Sequence, residues 1–162
     1  MVAPVLIIAI GNESRGDDAL APLLLRSLQE DVMESDIELL EDFQLQVEHA
    51  ADLVERELVL FVDAGMDTPA PFSFYRIEPD EGHTLFSHAL APEAVLTTYV
   101  HVYGETPPPA FVLCLRGEQF ALGDGLSKLA ASHLESARTF MCKLLREATP
   151  AAWNVLAAPA VA

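Results

Sequence analysis

The run Val5-Leu6-Ile7-Ile8-Ala9-Ile10 offers no polar position on either side of an extended chain. Strand side chains alternate between two faces, so a run that is apolar at every position has to be covered on both, as happens in a parallel sheet flanked by helices. The stretch Glu57 to Asp63 repeats the pattern, with Leu58 to Val62 apolar throughout. After the first run, Gly11-Asn12-Glu13-Ser14-Arg15-Gly16 has loop chemistry. Asp17 then stands where an N-cap would open a helix from about Asp18 to Gln29, striped by Leu20, Leu23, Leu24 and Leu28. A second short strand is expected near Ile37 to Leu40 and a helix around Val47 to Glu55. Strand and helix alternating in this way predict an α/β fold: a single three-layer doubly wound domain, with a mostly parallel sheet of about five strands and helices on both faces.

The remaining chain fits that scheme. Pro69 and Pro71 precede a fourth strand, Phe72 to Ile77, and Pro79 to His88 reads as an irregular loop. Pro92 suits the first turn of a helix running through Val95, Leu96 and Tyr99, and Pro107-Pro108-Pro109 closes the connection before a strand from Ala110 to Leu115. A long helix from about Ser127 to Glu147 carries Leu129, Leu134, Met141, Leu144 and Leu145. With 162 residues and 51% hydrophobic composition, one core is expected, spanning residues 1–147. The Ala- and Pro-rich stretch 148–162, with Trp153 as its one large anchor, is expected to be a loosely held tail.

Charge and cysteine usage narrow the functional classes. Nine basic residues against 25 acidic ones give a formal charge of -16, which repels nucleic-acid phosphates and anionic lipid. Cys114 and Cys142 lack CxxC spacing and are expected to be buried free thiols. The apolar N-terminus has no basic n-region, and no membrane span is expected, which points to the cytoplasm.

Open α/β sheets bind ligands beyond the carboxyl ends of their strands, where the strand order reverses. In a 2-1-3 order the first and third strands are neighbours, so Asp17 and Asp18 after the first should converge with Asp63 at the end of the third. Converging carboxylates need a cation or a proton to relieve their repulsion. A nearby imidazole would complete an oxygen-and-nitrogen set suited to nickel, zinc or iron, and His88 lies in the loop after the fourth strand. Each residue also has a structural reading. Asp17 is first of all a helix cap, Asp18 equally suits a helical first turn, and His49, His83, His101 and His133 compete with His88. Asp63 is the sharpest candidate, because an acid closing an apolar strand loses hydration unless it is partnered. Gly11-Asn12 fits a tight turn or a close backbone approach at the site's edge, and Met66, Asp67 and Phe86 are candidates to line a cleft there.

These residues resemble the hydrogenase maturation endopeptidases. That family opens with an apolar strand, Gly-x-Gly-Asn, a short loop, and paired acids leading into a helix; here Ile8-Ala9-Ile10-Gly11-Asn12 is followed by Asp17-Asp18-Ala19-Leu20. An aspartate ending an apolar strand is matched by Phe61-Val62-Asp63-Ala64, and a Ser-His segment before a helix by Ser87-His88-Ala89-Leu90. A later pattern is matched by Gly117-Glu118-Gln119-Phe120 and Gly125-Leu126-Ser127, so the resemblance runs from about Val5 to Leu145. The family often has Glu where Asp18 stands and Gly where Ala19 and Ala21 stand.

The resemblance implies an aspartic-type, nickel-dependent endopeptidase that removes the C-terminal extension from the nickel-loaded large-subunit precursor of a nickel-iron hydrogenase. Asp18, Asp63 and His88 would be both the catalytic set and the contacts to nickel, which the precursor supplies; no organic cofactor is expected. No Gly-x-Ser-x-Gly elbow or His-Glu-x-x-His helix points to serine or zinc proteolysis. Two other readings share the same residues: a chaperone that holds nickel or the hydrogenase subunit without cutting, and a metallohydrolase with its own metal. A nucleotide binder is disfavoured, since the first turn lacks both the dinucleotide and the P-loop glycine patterns.

Overall fold

The computed structural model describes residues 1–80 and 90–158. Strand β1 (Val5–Ile10) is buried at every position, as its composition requires. Its neighbours are β2 (Ile37–Asp42) on one side and β3 (Leu58–Gly65) on the other, both parallel to it. Beyond β3 come β5 (Ala110–Arg116), also parallel, and β4 (Phe72–Ile77), which closes the sheet antiparallel, so the order is β2-β1-β3-β5-β4. The expected adjacency of the first and third strands therefore holds.

Alternating side chains feed two separate cores, one on each face. Val5, Ile7, Ala9, Leu58, Leu60, Val62, Phe111 and Leu113 pack with helices α1 (Leu20–Ser27) and α3 (Lys128–Arg146). Leu6, Ile8, Ile10, Val59, Phe61 and Val112 pack on the other face with a 3-10 helix (Val47–Leu53) and α2 (Pro92–Tyr103). The result is the three-layer, doubly wound α/β arrangement. Helix boundaries follow local chemistry. Pro92 occupies the first turn of α2, which stops at Gly104 in the left-handed region (φ 65°), and the Ser127 hydroxyl caps α3 by accepting from Ala130 N–H at 3.1 Å.

Four expectations are corrected. Asp17 does not cap a helix: it lies inside a 3-10 turn, Gly16–Ala19, and α1 begins only at Leu20. The stretch after Glu147 is not loose through residue 158, because Thr149 caps a further helix, α4 (Pro150–Leu156). Its Trp153 is fully buried against Phe74 and Phe111, with ring centroids 6.1 and 5.5 Å away, and donates Nε1–H to the Leu144 carbonyl at 3.0 Å. A single large aromatic suffices to dock the segment. Leu129 is exposed, because the inward stripe of α3 is Ala130, His133, Ala137, Met141 and Leu144, which places Leu129 on its outer side. Cys142 is likewise on the outer face of α3, and Cys114 is only partly buried, its Sγ 2.9 Å from the Thr68 hydroxyl.

Candidate active site

Asp18 and Asp63 reach the same cleft from adjacent strands. The β1–β3 register pairs Ala9 with Val62, so the chain leaving β1 passes beside Asp63, and the 3-10 turn carrying Asp18 packs on β3. The cleft has a volume of about 400 Å³. Among the described residues its ionisable groups are Asp18 and Asp63, and Ile10, Phe43, Leu45, Met66, Leu90 and Phe120 supply most of its apolar wall. Phe43 and Met66 are largely exposed at its rim, 72% and 58% accessible.

Local backbone geometry fixes both carboxylates. The Asn12 N–H donates to Asp18 Oδ2 at 2.7 Å, which requires the β1–α1 connection to fold back tightly. Gly11 makes this possible by lacking a Cβ, since one there would collide with the Asp18 carbonyl oxygen. The requirement at Gly11 is thus close approach, and its φ is not positive. Asp63 Oδ1 accepts from Ala64 N–H at 2.8 Å.

The two acids are electrically unequal. Burial pushes the Asp63 carboxyl up, the Ala64 N–H opposes the rise, and the nearby Asp18 charge adds to it, leaving Asp63 at about 6. Asp18 is also raised by burial, with the Asn12 N–H and Arg15 pulling against it. A carboxylate poised near neutrality can carry a proton in either direction, and the pair has the charge to receive a cation.

His88 and Phe86 lie outside the described residues, as does His83. Among the described residues no group of three His, Cys, Asp or Glu is assembled to hold a metal ion, and no histidine lines the cleft. His49 Nδ1 instead accepts from Gln46 N–H at 2.9 Å while its Nε2 meets Asp42 at 3.1 Å. His133 Nδ1 is bonded to the Arg116 carbonyl at 2.8 Å, and His101 is exposed on α2. Met66 lines the cleft as anticipated, whereas Asp67 does not. The sequence reading missed Phe43, Leu45 and Phe120, which come from the ends of loops and carry no periodic signal. A second hollow of about 420 Å³ lies on the far side of Phe43. Its charges are already engaged, with Arg26 held between Glu13 and Glu41, and Asp42 meeting His49 and the Phe43 N–H.

Solved structures share this architecture. The nickel-iron hydrogenase maturation protease HycI from Thermococcus kodakarensis KOD1 aligns with a TM-score of 0.68 and 23% identity, over 90% of this chain and 94% of that one. The hydrogenase maturating endopeptidase HybD from E. coli aligns at 0.71 and 22%, over 89% and 93%. The chain has the fold of the hydrogenase maturation proteases. A third structure with this maturation-protease fold, the hydrogenase 2 maturation peptidase from Thaumarchaeota archaeon SCGC_AB-539-E09, aligns at 0.63 and 18%, over 87% and 97%. No protein-family model matches the chain, and no curated protein matches it. No described helix is long and apolar enough to cross a membrane.

Proposed function

We propose that this chain is a hydrogenase maturation endopeptidase that removes the C-terminal extension from the nickel-loaded large-subunit precursor of a nickel-iron hydrogenase in the cytoplasm. The observation that carries the proposal is the convergence of Asp18 and Asp63 on one cleft, in a fold otherwise found in proteases of this kind. Asp18, Asp63 and His88 contact nickel that belongs to the substrate. Leu90, two positions after His88 in the sequence, is already a wall of the cleft, which supports including that histidine. Phe43 and Met66 at the rim give an extended peptide apolar surface on which to lie.

Hydrolysis adds water to the scissile carbonyl and breaks its C–N bond, while a proton passes from the water to the departing amine. Polarisation by the substrate's nickel and proton transfer through a carboxylate are the two available means of activating that water. In the cleft, the Asp63 carboxyl, raised to about 6, suits that proton transfer near neutral pH.

The role of the undescribed histidine is open to direct test. With the wild-type protein cutting a nickel-loaded precursor as control, His88→Ala is expected to lower the cleavage rate by roughly 100-fold, consistent with loss of one positioned polar group at a reacting centre. Melting within a few degrees of wild type would show the variant folded. Wild-type rates in the variant would remove His88 from the site.

A further inference from the structure

Asp17, which the sequence offers as a helix cap, has a different task. Its side chain has no solvent exposure, and among the described residues no basic residue pairs with it. Oδ2 accepts from Glu118 N–H at 2.6 Å, Gln119 N–H at 3.0 Å and the Ser127 hydroxyl at 2.7 Å, while Oδ1 accepts from Ser127 N–H at 2.7 Å. All four donors belong to the connection between β5 and α3, more than 100 positions away in the chain. Backbone bonds complete the seam: Asp17 N–H to Gln119 C=O at 2.7 Å, Gly16 N–H to Asp124 C=O at 3.1 Å, and Gly123 N–H to Ser14 C=O at 2.7 Å.

Two glycines are needed for the connections to approach so closely. Gly16 adopts φ 57°, and a Cβ there would strike the Gln119 carbonyl; a Cβ on Gly117 would strike the Phe120 ring and Asp17 itself. The seam touches the cleft twice. Phe120 forms part of the cleft wall, and Asp18 is the residue that follows Asp17.

We propose that Asp17 is a positioning residue that clamps the 117–127 connection to the turn after β1 and thereby sets where Asp18 and Phe120 stand relative to Asp63. This rests on reading the cleft as the cleavage site. A carboxylate is required, since both oxygens accept hydrogen bonds. In Asp17→Asn the amide must turn its NH₂ either toward Ser127 N–H or toward the three donors now satisfied by Oδ2, so one side of the clamp is left with donors facing donors.

The test compares wild type, Asp17→Asn, Ser127→Ala and Ser127→Thr, each below its own melting transition, in steady-state cleavage of a nickel-loaded precursor, alongside amide hydrogen exchange. Misplacement of reacting groups by about an ångström costs on the order of 100-fold. We expect Asp17→Asn to lose roughly that factor in kcat with KM changed by less than about threefold. Ser127→Ala should lose less, and Ser127→Thr, which keeps the hydroxyl, should return toward wild type. Glu118, Gln119 and Ser127 amides should exchange at least about tenfold faster in Asp17→Asn. Wild-type kcat in folded Asp17→Asn would overturn the positioning role while leaving the cleavage reading intact. Unchanged protection of those amides would overturn the clamp whatever the activity. If wild type itself cuts no precursor, the cleavage reading falls and with it Asp17's part in catalysis.

Discussion

Asp63→Asn is expected to abolish processing and to make the folded protein more stable at neutral pH. The two effects have one cause. Asp63 is held in a partly buried position near Asp18, and its carboxyl is pushed from the ordinary value of 3.8 to about 6. The native state therefore binds that proton more tightly than the unfolded chain does. The stability conferred by the protonated form is fully present below about pH 4, declines as pH rises, and is lost above about pH 6, where the buried carboxylate is ionised. Asparagine keeps the shape and cannot ionise. Well above pH 6 the variant should exceed wild type by up to about 3 kcal/mol in urea denaturation, and the difference should vanish below about pH 4. Cleavage, by contrast, should fall at least ~100-fold, because neither a charged oxygen ligand for the cation nor a basic proton acceptor remains at that position. A gain in stability with loss of activity is the signature of a group kept at a folding cost for function. Normal cleavage by Asp63→Asn would remove Asp63 from the site, and equal stabilities at pH 7.5 would contradict its electrostatic description.

The largest effect on folding is expected at Trp153. Trp153→Ala should destabilise the protein by about 3–5 kcal/mol, the range for emptying a buried large aromatic site. Two losses combine there. The rings of Phe74 and Phe111 lose their edge-on partner, and the Leu144 carbonyl, in the last turn of α3, loses its side-chain donor. Trp153→Phe separates them, since it keeps most of the volume without the N–H and should cost on the order of 1–2 kcal/mol. A shift of less than about 1 kcal/mol in Trp153→Ala would show that α4 contributes little to the core, as a loosely held tail would.

The sheet was readable because β1 and β3 are apolar on both faces and leave few alternatives to helix-covered parallel strands. Adjacency of Asp18 and Asp63 followed from the strand order, which the alternation of elements implied. The sequence suggests a cap at Asp17 for a physical reason: an acid ahead of Asp-Ala-Leu resembles a cap locally, while its partners, Glu118, Gln119 and Ser127, become neighbours only when β1 and β5 have joined the same sheet. The C-terminal segment reads as a loose tail because its composition is mostly small residues, whereas the energy of docking is concentrated in Trp153. Cleft walls such as Phe43 and Phe120 sit in connections, where the sequence carries no periodicity to reveal which side chains turn inward.

The measurement that tests the proposed function most directly mixes the purified protein with a hydrogenase large-subunit precursor, nickel-loaded or nickel-free, and follows the C-terminal extension by intact mass. The account predicts loss of the extension from the loaded precursor and none from the nickel-free one. Cleavage of both at equal rates would contradict the role of nickel in recognition. Binding of the loaded precursor without any cleavage would contradict the protease assignment itself and favour a chaperone that holds the subunit.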